Sequence, residues 1–161
     1  MKDNVISNQI QAEFTKTPKD RSIQLLTVYG SEYSAGGDNA LIDYLKGPNS
    51  YMTGSWQGYE GVNLEAIIDL DEKIQVSSLS TGFLQDWNAW IFMPEWVDYF
   101  TSNDGVNFSK LGRVINSIDE KQEEVILHEF RLPVNIKTRY LKVIAKNRTF
   151  NPAWHLSLIH I

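Results

Sequence analysis

No cysteine occurs anywhere in the chain. The fold therefore uses neither disulfides nor thiolate metal centres, and a cysteine nucleophile is excluded. No apolar run approaches the roughly 20 residues that a membrane-spanning helix needs. The opening Met1-Lys2-Asp3-Asn4-Val5 lacks the apolar stretch of a secretory leader, so this segment carries no signal peptide. No cluster of Lys and Arg interleaves with the aromatic residues, and the net charge is −5. That balance points away from a nucleic-acid backbone as partner, and the polar composition away from membrane insertion. A Gly-rich phosphate loop, a Ser-His-Asp order and a metal-hydrolase motif are all missing. So is any sustained helical period.

Short alternating segments, the signature of half-buried strands, make up most of the chain. They lie at residues 11–14, 22–28, 64–70, 73–83, 96–101, 111–115, 124–132 and 136–145. In the last of these Leu141, Val143 and Ala145 face one way, and Tyr140, Lys142 and Ile144 the other. Ser102-Asn103-Asp104-Gly105 is a strong turn signal after residues 96–101. Residues 30–63, rich in Gly, Asp, Asn, Ser and Tyr, read as loop with one short helical turn at 39–45. A chain of 161 residues with 42% hydrophobic content fits one domain with a sizeable core. About eight strands in such a domain predict an all-β jelly-roll sandwich.

Aromatic residues crowd into one stretch. Trp87, Trp90 and Trp96, three of the five tryptophans, are joined there by Phe92, Tyr99 and Phe100. Indoles need a partner for their N–H when buried, so some of these rings are expected at the surface. A flat exposed ring can stack on a ligand with alternating C–H faces and hydroxyls, such as a sugar. Polar Gln85, Asp86 and Asn88 surround Trp87, which favours its exposure, whereas residues 92–100 read as a strand whose rings enter the core.

An ordered series of motifs goes further. Gly36-Gly37-Asp38-Asn39-Ala40-Leu41-Ile42-Asp43 is followed by Gly47, Gly54-Ser55-Trp56-Gln57-Gly58-Tyr59 and Ile68-Asp69-Leu70. Then come Ser80-Thr81-Gly82-Phe83-Leu84-Gln85, Trp90-Ile91-Phe92-Met93-Pro94, Ser102-Asn103-Asp104-Gly105-Val106-Asn107-Phe108 and Thr138-Arg139-Tyr140-Leu141-Lys142-Val143. This order, over residues 10–155, resembles the discoidin (coagulation factor V/VIII C-type) superfamily. It is most similar to the family 32-like carbohydrate-binding modules found C-terminal in bacterial family 20 β-N-acetylhexosaminidases. The resemblance implies a galactose-binding-like jelly roll of about eight main strands, with sugar held by loops at one end. It also implies a structural calcium in the loop around Ala40-Leu41-Ile42-Asp43.

The sequence departs from that pattern twice. Tyr44 stands where the family has glycine. After Pro152-Ala153-Trp154-His155 the chain ends in Leu156-Ser157-Leu158-Ile159-His160-Ile161. This tail resembles translated adapter sequence more than the family's last strand, which ends in an acidic residue. A non-native tail over residues 156–161 would leave a single domain lacking its last strand.

The candidate sugar contacts are Trp56, Gln57, Trp87, Asn88, Trp90, Trp154 and His155. Rings supply stacking, and the amide and imidazole groups supply hydrogen bonds to hydroxyls. Trp56 is equally readable as a plug at the end of the sandwich, and Trp90 as inter-loop packing. Asp38, Asn39 and Asp43 offer oxygen ligands to calcium, or cap turns with their side chains. Glu60, Glu65, Asp86, Glu95 and Asp98 show no spacing that selects a glycosidase pair, and His128 alternates with Ile126 and Phe130 as a strand residue. A catalytic barrel needs about 250 residues, which this chain does not have. The expectation is a non-catalytic module that binds glycans ending in galactose or N-acetylhexosamine on behalf of a linked glycoside hydrolase. Such a chain would work secreted, in the periplasm or at the cell surface. The alternative is a structural domain that packs on and stabilises a hexosaminidase barrel.

Overall fold

The computed structural model describes Pro18 and residues 20–148; the candidate strand at 11–14 and the tail at 156–161 lie outside these. Five antiparallel strands form one sheet in the order β1-β2-β5-β3-β4. They are β1 (Ser22–Leu25), β2 (Leu64–Gln85), β3 (Trp96–Ser102), β4 (Ser109–Ile115) and β5 (Ile126–Lys146). Residues 30–63 hold no strand, as expected, only short 3₁₀ turns at Asp38–Ile42 and Tyr51–Thr53.

The count of five among the described residues, against about eight expected, has a simple cause. The segments at 64–70 and 73–83 are one continuous strand, β2, and those at 124–132 and 136–145 are one continuous strand, β5. The two run side by side from Leu64↔Ala145 to Gln85↔Ile126. Their pairing slips between Asp69 and Ile74 and again between Val76 and Ser78. Bulges of this kind bend a ribbon and increase its twist. Asp71 takes a left-handed conformation at φ 72°. Pro133, which has no N–H to give, sits opposite Ser78. On the near side of the bend Arg139 grips the Asp69 carboxylate through two bonds of 2.9 Å.

Past the bend the second half of β2, paired with the first half of β5, folds back over the rest of the sheet. Tyr99 pairs with Val143 in the sheet, yet its hydroxyl donates to the Phe130 carbonyl at 2.5 Å and lies 2.9 Å from Thr81 Oγ1. Gly112 on β4 lies against Leu132, 3.0 Å from where a Cβ would stand. One sheet thus makes both layers of a β-sandwich. Leu64, Ala66, Val143 and Ala145 from one layer and Phe130 from the other enclose Met93, Val97 and Tyr99 between them. Val97, Tyr99 and Phe130 are at most 1% exposed.

The alternation of β3 corrects the reading of residues 92–100 as uniformly core. Val97 and Tyr99 point inward, so Trp96, Asp98 and Phe100 face out. Arg113 lies over the Trp96 ring at 4.2 Å and Lys110 over Phe100 at 6.0 Å. Between them Asp98 accepts from Arg113 at 2.7 and 2.6 Å and from Lys110 at 2.8 Å.

Two outcomes follow from this packing. Tyr99→Phe strands the Phe130 carbonyl between the layers and should lower stability by about 1–3 kcal/mol, read by urea unfolding with an unchanged denaturant slope. Hydrogen bonds from Arg139 and Arg113, respectively, hold the Asp69 and Asp98 carboxyls below their usual 3.8. A carboxyl depressed in the folded state stabilises above its unfolded value and loses that contribution as pH falls through its folded value. The thermal midpoint should therefore drop as pH falls below about 4, and Asp98→Asn should flatten that slope.

Candidate functional site

Two loops carry the sequence-predicted site residues that fall within the described structure. The first, residues 86–91, is closed at its neck by reciprocal backbone bonds between Asp86 and Ile91 of 2.9 and 3.0 Å. Inside that neck a 3₁₀ turn spans Trp87–Ala89, and its end is stitched by Trp90 N–H to the Trp87 carbonyl at 3.1 Å. The turn leaves Trp87 half-buried, Asn88 exposed and Trp90 45% exposed. The polar surroundings of Trp87 pointed to the wrong indole as the more exposed of the two. Trp90 reaches the surface because its backbone is left-handed, at φ 63° and ψ 28°. A bulky side chain rarely adopts this region, since Cβ then crowds the carbonyl oxygen.

The second loop runs through residues 34–59. Trp56 spends its indole N–H on the Pro48 carbonyl at 2.9 Å. Its ring lies flat enough on Gly47 that a Cβ there would sit 2.4 Å from a ring carbon. This is the plug arrangement: a glycine gives the indole room, and the indole holds residues 47–56 together. Gln57 turns its carboxamide inward, with Nε2 donating to the Gly37 carbonyl at 2.8 Å and Oε1 accepting from the Tyr59 hydroxyl at 2.9 Å. Asp38 Oδ1 accepts from the Tyr29 hydroxyl at 2.9 Å, and Asp43 Oδ1 caps the Leu45 N–H at 2.7 Å. Asn39 is exposed. Among the described residues no three His, Asp or Glu side chains gather as a metal cluster. Trp154 and His155 lie outside the described residues.

Residues that sequence reasoning missed tie this end of the sandwich together. Asn147, just past β5, donates from Nδ2 to the carbonyls of Tyr59 and Val62 at 2.8 and 2.9 Å. Arg148 lies over the Phe92 ring at 5.4 Å and donates to Glu120 at 2.6 Å. The loops at 59–62, 92–95 and 116–120 therefore meet around the exit of β5.

The chain matches no protein-family model and no curated protein sequence. Solved structures do match. A fucolectin from striped bass serum, Morone saxatilis, gives a TM-score of 0.53 at 18% identity, over 80% of this chain and 42% of that one. The module CpGH89CBM32-4 from Clostridium perfringens, in complex with GlcNAc-α-1,4-galactose, gives 0.50 at 13% identity, over 84% and 81%. The fold is the discoidin-like, galactose-binding-like β-sandwich. The C-terminal domain of a chitobiase from Bacteroides fragilis also matches, with a TM-score of 0.45 at 18% identity over 81% of this chain and 85% of that one. Among the described residues no helix is long and apolar enough to cross a membrane.

If Trp90 is held left-handed for the sake of its ring, glycine at that position should relieve the backbone. Trp90→Gly is expected to raise stability by about 0.5–1 kcal/mol, measured by chemical denaturation. A loss of similar size would identify the ring as a packing element instead.

Proposed function

We propose that this chain is a non-catalytic carbohydrate-binding module for glycans that end in galactose or N-acetylhexosamine. The observation that carries the reading is the Asp86–Ile91 loop. Four backbone hydrogen bonds among residues 86–91 fix it, and it presents an exposed Trp90 on a strained backbone beside an exposed Asn88. An indole face matches the C–H face of a pyranose, and a carboxamide can both donate to and accept from its hydroxyls. Strain of this kind persists where the surrounding structure over-determines it, which is common at ligand sites. The fold agrees with this use, since the matched Clostridium module was solved with a galactose-containing disaccharide.

A site built from one ring and a few polar groups binds a single sugar weakly. Its value lies in raising the effective concentration of substrate for a linked domain. We assign that domain as a secreted, periplasmic or surface glycoside hydrolase, a β-N-acetylhexosaminidase. In the second reading the chain serves as a packing domain on such a hydrolase. The feature that favours it is the outer face of β3 and β5, where Trp96, Phe100 and Ile144 stand half-buried among Arg113, Lys110 and Lys142.

Titration of ¹⁵N-labelled protein with galactose, N-acetylgalactosamine and N-acetylglucosamine should shift the Trp90 indole and Asn88 side-chain signals in a saturable way. Trp90→Ala should remove the response at least tenfold while the core amides stay in place. Silence of both signals to every sugar, with shifts on the Trp96 and Phe100 face when a hexosaminidase barrel is added, would move the assignment to the packing reading.

A further inference from the structure

Residues 35–37 form a run of three positive-φ residues, of which only Ala35 carries a Cβ. Ala35, Gly36 and Gly37 stand in succession at φ 51°, 92° and 119°. The Ser34 and Gly37 carbonyls bracket this run; each accepts one backbone N–H, from Gly37 at 2.9 Å and from Ala40 at 3.1 Å, and keeps a lone pair for a second donor. In this loop that shared second donor is the side-chain amide of Gln57. Its nitrogen is 2.8 Å from the Gly37 carbonyl and 3.5 Å from that of Ser34. Two hydrogens on one nitrogen can serve both acceptors, and carbonyls accept only, so the orientation of the amide is fixed by its neighbours. The other end is fixed too, since Tyr59 donates its hydroxyl to Gln57 Oε1.

The chain of contacts continues on the far side of the loop. The Tyr59 ring meets Tyr29 edge to face at 6.4 Å, and Tyr29 donates to Asp38. Burial pushes the Tyr59 hydroxyl up to about 12, so it remains a donor throughout the neutral range. One oxygen of each acidic side chain in the loop has an internal partner, Asp38 Oδ1 taking a hydroxyl and Asp43 Oδ1 an N–H. Calcium asks for six to eight oxygens at about 2.3–2.6 Å around one centre. Here the converging carbonyls close on nitrogen at hydrogen-bond distance, so the donor set does not fit a resident ion.

We propose that Gln57 is a positioning residue that replaces a cation: its carboxamide gathers the Ser34 and Gly37 carbonyls and orders residues 34–43 without metal. Gln57 thereby acts through the loop and not as a sugar contact. The inference stands apart from the assignment of a glycan ligand, because its test contains no sugar.

The test reads the heteronuclear ¹H–¹⁵N NOE of residues 34–43, with the amides of β2 and β5 as internal control for global folding. In the natural sequence the loop should show rigid values, equal in EDTA and in millimolar calcium. Gln57→Leu should drop the loop to flexible values while the strands stay rigid, and Tyr59→Phe should give an intermediate loss. Gln57→Glu turns a donor into a carboxylate facing two carbonyls. Its loop should be flexible in EDTA and become rigid again on adding calcium. Calcium-dependent order in the natural sequence would overturn the proposal. So would a rigid loop in Gln57→Leu, or a Gln57→Glu loop that calcium leaves flexible.

Discussion

Tyr99 brings a phenol hydroxyl into the gap between the two layers, where an unpaired polar group would be costly. It is satisfied there only because the first half of β5 lies across it, offering the Phe130 carbonyl, with Thr81 alongside. The hydrogen bond therefore fixes how far the ribbon of β2 and β5 must turn. Too shallow a bend leaves the hydroxyl without an acceptor, and too sharp a bend presses Leu132 further into the backbone at Gly112, already at contact distance. Everything above the sheet inherits its position from that closure. The neck of the Trp90 loop begins where β2 ends, and Asn147 and Arg148 gather the neighbouring loops where β5 ends.

Stability and the proposed binding site reside in separate parts of the molecule. The core is apolar, and its strand positions follow from alternation alone. The loop end is polar, stapled by backbone and amide hydrogen bonds, and holds left-handed non-glycine residues at Ala35 and Trp90. Strain concentrated where no core residue depends on it can be retained for a ligand's sake at small cost to the whole. Trp56 and Trp90 show the division within one residue type. One indole gives its N–H to a carbonyl and its face to a glycine; the other is 45% exposed.

Much of this was readable from the residues. Period-two alternation located each described strand, and the ordered motifs from Gly36 to Val143 carried the fold class. What alternation could not show is that pairing survives a stretch as polar as Asp71-Glu72-Lys73, because a bulge and a turn share the same composition. It also left open which parity of β3 faces in, though Val97 and Tyr99 opposite Ala145 and Val143 settle it. A left-handed tryptophan has no sequence signal at all, so local polarity favoured Trp87 over Trp90. The partners of Gln57 are some twenty residues away in the chain, beyond any local pattern.

The continuity of β2 and β5 also governs how the chain must assemble. The β3–β4 hairpin is local and can close as soon as it is made. β2 has no such local neighbour: β1 covers only its Ala66–Asp69 stretch, and on the other edge Leu64 waits for Ala145 and even the nearest pair is Gln85 with Ile126. Contacts between such distant residues form slowly. During synthesis a 22-residue strand therefore stands with an open edge until the last described strand has emerged. The span most at risk of pairing with another nascent copy is the one that later carries both layers.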